Sequence, residues 1–391
     1  MHYLDHAAST PARTGAVEAM VAMLTTDFGN PSGAHRLARS ANRALDDARE
    51  IMASALGTNP GEIVFTSGGT EADNLAVNGV VGARGGVPLC PATEHHAVLE
   101  PVEHLGGVVV AVDELGVIDL EALASALDDS TRPISLVSVM LVNNETGVVQ
   151  PLDAVRAVID EHAPNVLLHT DAVQSLPWLD VASVTMPADL ISVSAHKFGG
   201  PKGIGVLAVR DGIELAPMQR GGGQEKRRRN GTQNVPGVAA MAAAAAEVVA
   251  RRATDLERVR ALRDRLADGI IAAVPGTHES AVPAGVSRAN KTANLCHLAF
   301  EGIESEALLF LLEKHDIMAS AASSCSSGAQ DPSHVLAAMG VGRELAAGSL
   351  RLSLGHTTTD ADIDAALEAV PAAVARLREH ARFAASGVPH G

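Results

Sequence analysis

The sequence predicts an α/β chain: a large, mainly parallel sheet layered by helices, then a smaller α+β body. Three observations carry this. Short apolar runs alternate with helical patterns through the first two-thirds of the chain. Several of these runs are apolar on both faces. The texture changes after Pro236, where an Ala, Arg and Leu-rich helical stretch begins. Strand–helix alternation is the pattern of an α/β sheet, and a strand apolar on both faces is one covered by helices on both sides.

In chain order, the first dozen residues read as an arm. Glu62–Thr66 reads as a strand and Glu71–Ala83 as a helix. Val108–Val112 and Ile134–Val142 read as strands, each followed by a helix, Leu120–Leu127 and Leu152–His162. Val166–His169, Leu190–Val193 and Gly205–Val209 are three further strand candidates. A long helix is expected over Val238–Ala273, then a Pro/Gly-containing connection over Pro275–Gly285. Asn294–Phe300 reads as a strand and Glu304–His315 as a helix. A final helix, Asp360–Phe383, contains Pro371, which is expected to kink or split it. Residues 384–391 read as a frayed tail.

The 391 residues carry 30 Lys plus Arg against 46 Asp plus Glu, a formal charge of −16. That balance speaks against a general binder of nucleic acid or anionic membrane. Aromatics are 2% of the chain, too few for base-stacking platforms. The 47% hydrophobic content excludes disorder as the main state. No apolar run approaches the ~20 residues of a spanning helix. The start of the sequence shows no basic region followed by an apolar core, so no secretory signal is expected. Three cysteines, Cys90, Cys296 and Cys325, without CxxC spacing, make neither a disulfide framework nor a zinc site. No metal ligand set is expected, and a reducing cytoplasm follows.

Three segments carry candidate chemistry. In Thr66–Asn74 a strand ends, two glycines permit close backbone approach, and a helix begins. Free N–H groups and hydroxyls there suit a phosphate, although a simple N-cap by Thr70 explains the same residues. In His169–Gln174 a carboxylate, Asp171, follows a strand; a helix N-cap is the plainer reading. In Ser194–Gly203, Lys197 follows another strand and precedes a Gly-Gly-Pro turn; it is either a loop lysine or a nucleophilic amine. Ligands of open α/β sheets bind at such strand ends. A phosphate cradle, an Asp and a Lys about 25 residues later, all at strand ends, together describe a pyridoxal phosphate enzyme of the aspartate-aminotransferase fold.

The sequence resembles the cysteine desulfurases of the NifS/IscS type, class V of the aminotransferase superfamily, nearly end to end. The resemblance runs through Tyr3–Pro11, Phe28–Ser32, Thr66–Asn74, Thr93–Ala97, Val142–Gly147, His169–Gln174 and Ser194–Lys197. It continues through Gly221–Glu225, Arg229–Thr232, Ser323–Cys325 and Arg351–Gly355. It implies fold type I, with a large seven-stranded sheet domain over 15–245, a small C-terminal domain over 246–391, and an arm, 1–14, joining the small domain.

By the same resemblance Lys197 carries the cofactor covalently and Asp171 pairs with its pyridine nitrogen. Gln174 meets the ring oxygen, and His95 stacks on the ring and moves protons. Gly69, Thr70, Ser194 and His196 hold the phosphate, and Thr232 reaches the phosphate of a second subunit in a homodimer. Asn144 and Arg351 meet the carboxylate of L-cysteine, where a guanidinium bonds bidentately. Cys325, in a small polar segment, takes the sulfur as a persulfide and passes it to an acceptor protein, leaving L-alanine. Cys90 and Cys296 lie in strand-like runs and read as core thiols.

Ala322, Ser324 and His356 depart from the family's usual residues. The run Lys226–Arg229 reads as a solvated basic face or as a surface for an acidic or nucleic partner. Two other functions stay open: another class V enzyme (an aminotransferase, a cystine lyase or a selenocysteine lyase), and a non-catalytic binding protein that keeps the fold.

Overall fold

The computed structural model describes residues 1–128, 131, 133–282, 287–321 and 333–385. Its strands, in chain order, are β1 (His2–Tyr3), β2 (Ile63–Thr66), β3 (Val87–Pro91), β4 (Val108–Val110), β5 (Ile134–Ser138) and β6 (Leu167–Asp171). They continue with β7 (Leu190–Ser194), β8 (Gly205–Val209), β9 (Thr277–Glu279), β10 (Leu295–Phe300), β11 (Ile317–Met318) and β12 (Ser349–Ser353).

Seven strands form one sheet in the order β2-β8-β7-β6-β5-β3-β4. β8 pairs antiparallel with both neighbours and every other pair is parallel, so six strands point one way. Successive side chains of a strand face opposite sides, and both sides here are covered. Val206 and Ala208 of β8 join one core, with Leu168, Ile191 and helix residues Leu45, Met52 and Ile159. Leu207 and Val209 join the other, with Leu75, Val80, Val98 and Val102 from helices Gly69–Arg84 and His96–His104. Burial on both faces is why these runs lack polar alternation.

The second body is built on an antiparallel sheet, β12-β10-β9, with helices Ser305–Glu313 and Asp360–Ala385 packed over it. The arm belongs structurally to this body: β1 pairs parallel with β11, and Asp5 bridges to Ser353. Helix Val235–Ala273 serves both cores, with Val238, Met241 and Val248 in the first and Val259, Leu266 and Ile270 in the second.

Several expectations shift. Ile134–Val142 is shorter as a strand, ending at Ser138, although Val139 N and Leu141 N still donate to His169 O and Asp171 O of β6. The connection over Pro275–Gly285 contains β9, an edge strand paired with β10. The last helix is not split: it runs from Asp360 to Ala385 through Pro371, with Ala366, Val370 and Val374 buried along it. A continuous buried stripe offsets the one hydrogen bond a proline removes. From residue 386 the expected tail lies outside the described residues. Helices Thr14–Thr25 and Arg36–Leu56, which pack on the long helix, carried no expectation.

Candidate active site

Because the strands around it are parallel, the C-terminal ends of β2, β3, β5, β6 and β7 open at one edge of the sheet. β2 leads to Gly69, where helix Gly69–Arg84 begins with Thr70 in its first turn. A Cβ on Gly69 would stand 2.8 Å from Val173 Cγ2, so the glycine lets the helix start close against β6's end. β6 ends at Asp171, buried, with Oδ1 accepting from Val173 N at 2.8 Å. β7 ends at Ser194, also buried, and a turn of 3-10 helix, Ala195–Lys197, brings Lys197 to the same edge.

Lys197 Nζ donates to Ala7 O at 2.5 Å and Ala8 O at 2.9 Å, and Gln174 Nε2 donates to Ala7 O at 2.9 Å. His196 Nδ1 stands 3.4 Å from Ser9 Oγ. Thus the arm crosses the site and meets three of the expected residues. From the other body, Arg351 in the middle of β12 donates from Nη1 to Asn144 O at 3.0 Å and from Nη2 to Asp5 Oδ1 at 2.8 Å.

Burial sets the electrostatics. It pushes the Lys197 amine down to about 8, helped by the Arg351 charge and opposed by Asp171 and Asp5. Burial pushes Asp171 up to about 6, while its bond from Val173 N and the Lys197 charge pull it back. His95 is exposed at the rim, yet crowding by protein atoms and the charges of Lys197, His96 and His334 push it down to about 4. His196 moves to about 4 by burial and by Lys197 and Lys202. The edge therefore holds neutral imidazoles and an amine that loses its proton near neutrality.

The class V aminotransferase family profile matches residues 2–366. The chain belongs to this family. It is 43% identical to an IscS-like cysteine desulfurase of Mycobacterium tuberculosis (strain ATCC 25618 / H37Rv), over 98% of this chain and 99% of that one. A solved NifS-like protein matches with a TM-score of 0.87 at 33% identity, over 96% of this chain and 99% of its own. A solved complex of SspA with cysteine matches with a TM-score of 0.78 at 32% identity, over 90% and 99%. The seven-stranded sheet is that of fold type I, and the cofactor of these class V enzymes is pyridoxal 5'-phosphate.

The residues present fit that cofactor. A 16-residue helix begins with glycine and threonine at the edge, offering free N–H groups to a phosphate. Asp171 is a buried carboxyl at the end of β6 that a protonated pyridine nitrogen can pair with, and Lys197 is an amine of lowered basicity. Bound there, the cofactor supplies an electron sink for charge developing at the substrate's Cα.

Of the residues expected from the sequence, Gly69, Thr70, His95, Asn144, Asp171, Gln174, Ser194, His196, Lys197 and Arg351 come from six segments that meet around this edge. Thr232 does not join them: it is exposed, and no hydrogen bond ties it to the others among the described residues. Cys325, with Ala322 and Ser324, lies outside the described residues. The chain on either side of it is anchored at the site. Ser320 pairs with Arg351 through both backbone bonds, and Ser333 Oγ bonds Glu145 Oε2. Cys90 and Cys296 are buried in β3 and β10, with thiols raised by burial, Cys296 to about 12.

Lys226 and Arg227 of the basic run are exposed, and three of its side chains are tied to the chain. Lys226 Nζ bonds Gly61 O at 2.6 Å, Arg228 Nη2 bonds Ile213 O at 2.8 Å, and Arg229 Nε bonds Glu71 Oε1 at 2.8 Å. Its turn is left-handed at Glu225, Lys226 and Arg227, with φ of 46°, 55° and 66°. The buried Glu225 carboxylate pins it by accepting from Arg49 and from Phe65 N.

Sequence reasoning missed Asp5, Glu145, His334 and Asp73. Asp5 stood in the Tyr3–Pro11 motif with no role attached. His334 packs against His96 with ring centroids 4.6 Å apart and ring planes tilted by 48°, and reaches Glu94 O at 2.9 Å. Asp73 lies buried one turn into helix Gly69–Arg84, 3.7 Å from His169 Nε2, and is raised by burial and by Asp171. Asp5, Asp73 and Glu145 stand inside the family motifs without a role attached, and only His334 is marked by three-dimensional proximity alone.

Proposed function

We propose that the chain is a cysteine desulfurase: it removes the sulfur of free L-cysteine, releases L-alanine, and holds the sulfur as a persulfide on Cys325 for an acceptor protein. The observation that carries this reading is the meeting of Lys197, Asp171 and Arg351 at one edge, with the stems on both sides of Cys325 anchored there.

Each residue has a task. Thr70, Ser194, His196 and the N–H groups after Gly69 would hold the phosphate. Asp171 would pair with the protonated ring nitrogen, Gln174 would bond the ring oxygen, and His95 would lie against the ring and move protons. Arg351, with Asn144 beside it, takes the substrate carboxylate. Lys197, an amine of lowered basicity, would accept the proton from Cα and later return it there. The Cys325 thiolate attacks the substrate sulfur. The S–S bond forms as the C–S bond breaks and the electron pair stays with Cβ; a proton taken up at Cβ, with the one Lys197 returns to Cα, yields alanine.

Residues 15–245 bind the cofactor on this reading, residues 246–391 bring Cys325, and residues 1–14 tie the two. A homodimer places Thr232 against the neighbouring subunit's phosphate. Helix Thr14–Thr25 shows Val17, Val21 and Leu24 at exposures of 49%, 50% and 57% on one face, with Phe28 nearby at 66%, an apolar stripe that a second copy covers. No helix among the described residues is long and apolar enough to cross a membrane. The cytoplasm is the assigned compartment.

Cys325→Ser tests the reading. The variant keeps the coloured cofactor and loses sulfide release from cysteine by at least ~10³-fold, the scale of losing a nucleophile outright. Normal turnover in that variant, or pyruvate and ammonia in place of alanine from the parent enzyme, rejects it.

A further inference from the structure

Arg351 is 3% exposed, and its donors are unequally used. Nη1 bonds Asn144 O, Nη2 bonds the Asp5 carboxylate at 2.8 Å, and Nε is buried with no partner. A resident carboxylate thus already sits on the guanidinium assigned to the substrate's carboxylate, and one donor still awaits an acceptor.

The arm's path does not depend on that carboxylate. Leu4 N bonds Met318 O at 2.8 Å, Ser353 N bonds Leu4 O at 2.8 Å, and Ala7 N bonds Ser353 Oγ at 2.8 Å. The Asp5 side chain is therefore free to serve the site. Its charge also bears on Lys197, where it favours the protonated nitrogen.

We propose that Asp5 is a positioning residue that sets amino-acid affinity: an internal carboxylate that holds Arg351 in place and makes an incoming amino acid share the guanidinium. This rests on the reading that Arg351 binds the substrate carboxylate. Two carboxylates on one guanidinium repel each other, so amino-acid binding is weakened. The penalty falls on L-alanine as on L-cysteine, because both carry the same carboxylate. It speeds departure of a product that would otherwise linger.

The test uses the cofactor-loaded enzyme and L-alanine as a non-reacting probe. Asp5→Asn keeps the shape and removes the charge. It is expected to bind L-alanine roughly tenfold more tightly, the scale of one screened charge at contact distance. The KM for L-cysteine falls in parallel. The pH at which the Lys197-linked cofactor changes colour moves down, because the nitrogen has lost a favourable charge. Asp5→Glu restores both properties towards the parent. Arg351→Ala serves as the control and loses L-alanine binding. If Arg351→Ala loses binding while Asp5→Asn binds L-alanine no more tightly than the parent, the proposal is overturned and the site reading stands. If Arg351→Ala binds L-alanine as the parent does, the site reading itself fails. A colour change unmoved in Asp5→Asn also overturns the proposal, since a purely structural arm contact leaves it where it was.

Discussion

In the seven-stranded sheet the charged site residues Asp171 and Lys197 sit at or just past strand ends, whereas in the three-stranded sheet Arg351 sits in the middle of β12, opposite His297. The difference is one of how a side chain earns its surroundings. At a strand's C-terminal edge the backbone leaves the ladder, and a residue such as Lys197 or Asp171 is presented by local geometry alone. In mid-strand, a guanidinium must be met from outside, and here Asp5 and Asn144 do so from two other segments. The first kind of site is written locally; the second exists only once the chain has folded.

That contrast can be broken most sharply at the strand ends. Lys197→Ala removes the amine and is expected to cut alanine formation from cysteine by roughly 10³-fold or more, the range of losing a positioned acid–base group. No cofactor adduct then forms on the protein after borohydride reduction. An adduct on another lysine would place the chemistry elsewhere.

Asp171 gives a middle-sized effect on the protein without cofactor. The free side chain ionises near 3.8, and burial moves it to about 6. Between these pH values the folded form keeps a proton that the unfolded form has lost, so stability falls as pH rises from about 4 to about 6. Asp171→Asn removes this slope, and thermal melts of apoprotein across that range measure it. An unchanged slope assigns the titration to Asp73 or Glu94, the buried carboxyls that face Asp171.

The smallest effect tests the interior of the other sheet. Cys296→Ala takes out a buried thiol of β10 and is expected to cost about 1–2 kcal/mol in denaturant melts. The KM for cysteine should stay within a factor of two, because Cys296 pairs with Leu352, beside Arg351, and packs into the core. A larger change would show that the sheet interior, and not only Asp5 and Asn144, holds the guanidinium.

What the sequence made legible follows the same division. Gly205–Val209 and Leu152–His162 were found at their observed bounds, because a doubly buried strand and an amphipathic helix each write their period into the chain. Asp171 and Lys197 stand out because each follows closely on a strand candidate, Val166–His169 and Leu190–Val193. Pro371 does not split its helix, since the rule that proline ends helices is local and the apolar stripe through Val370 and Val374 is tertiary. Asp5 was silent for a similar reason: nothing within the arm says that β12 will lie beside it. The basic run at Lys226 looked free because its acceptors, Gly61 O, Ile213 O and Glu71, are scattered over more than 150 residues of sequence.

The helix from Val235 to Ala273 has one more consequence. Its 39 residues make a rod of about 58 Å at 1.5 Å per residue. Each half of the molecule is anchored to a different stretch of that beam, so its hydrogen-bonded turns span the distance between the lysine and arginine walls. Loosening either half frays the support on which the other is built, and the two are bound to a common mechanical fate.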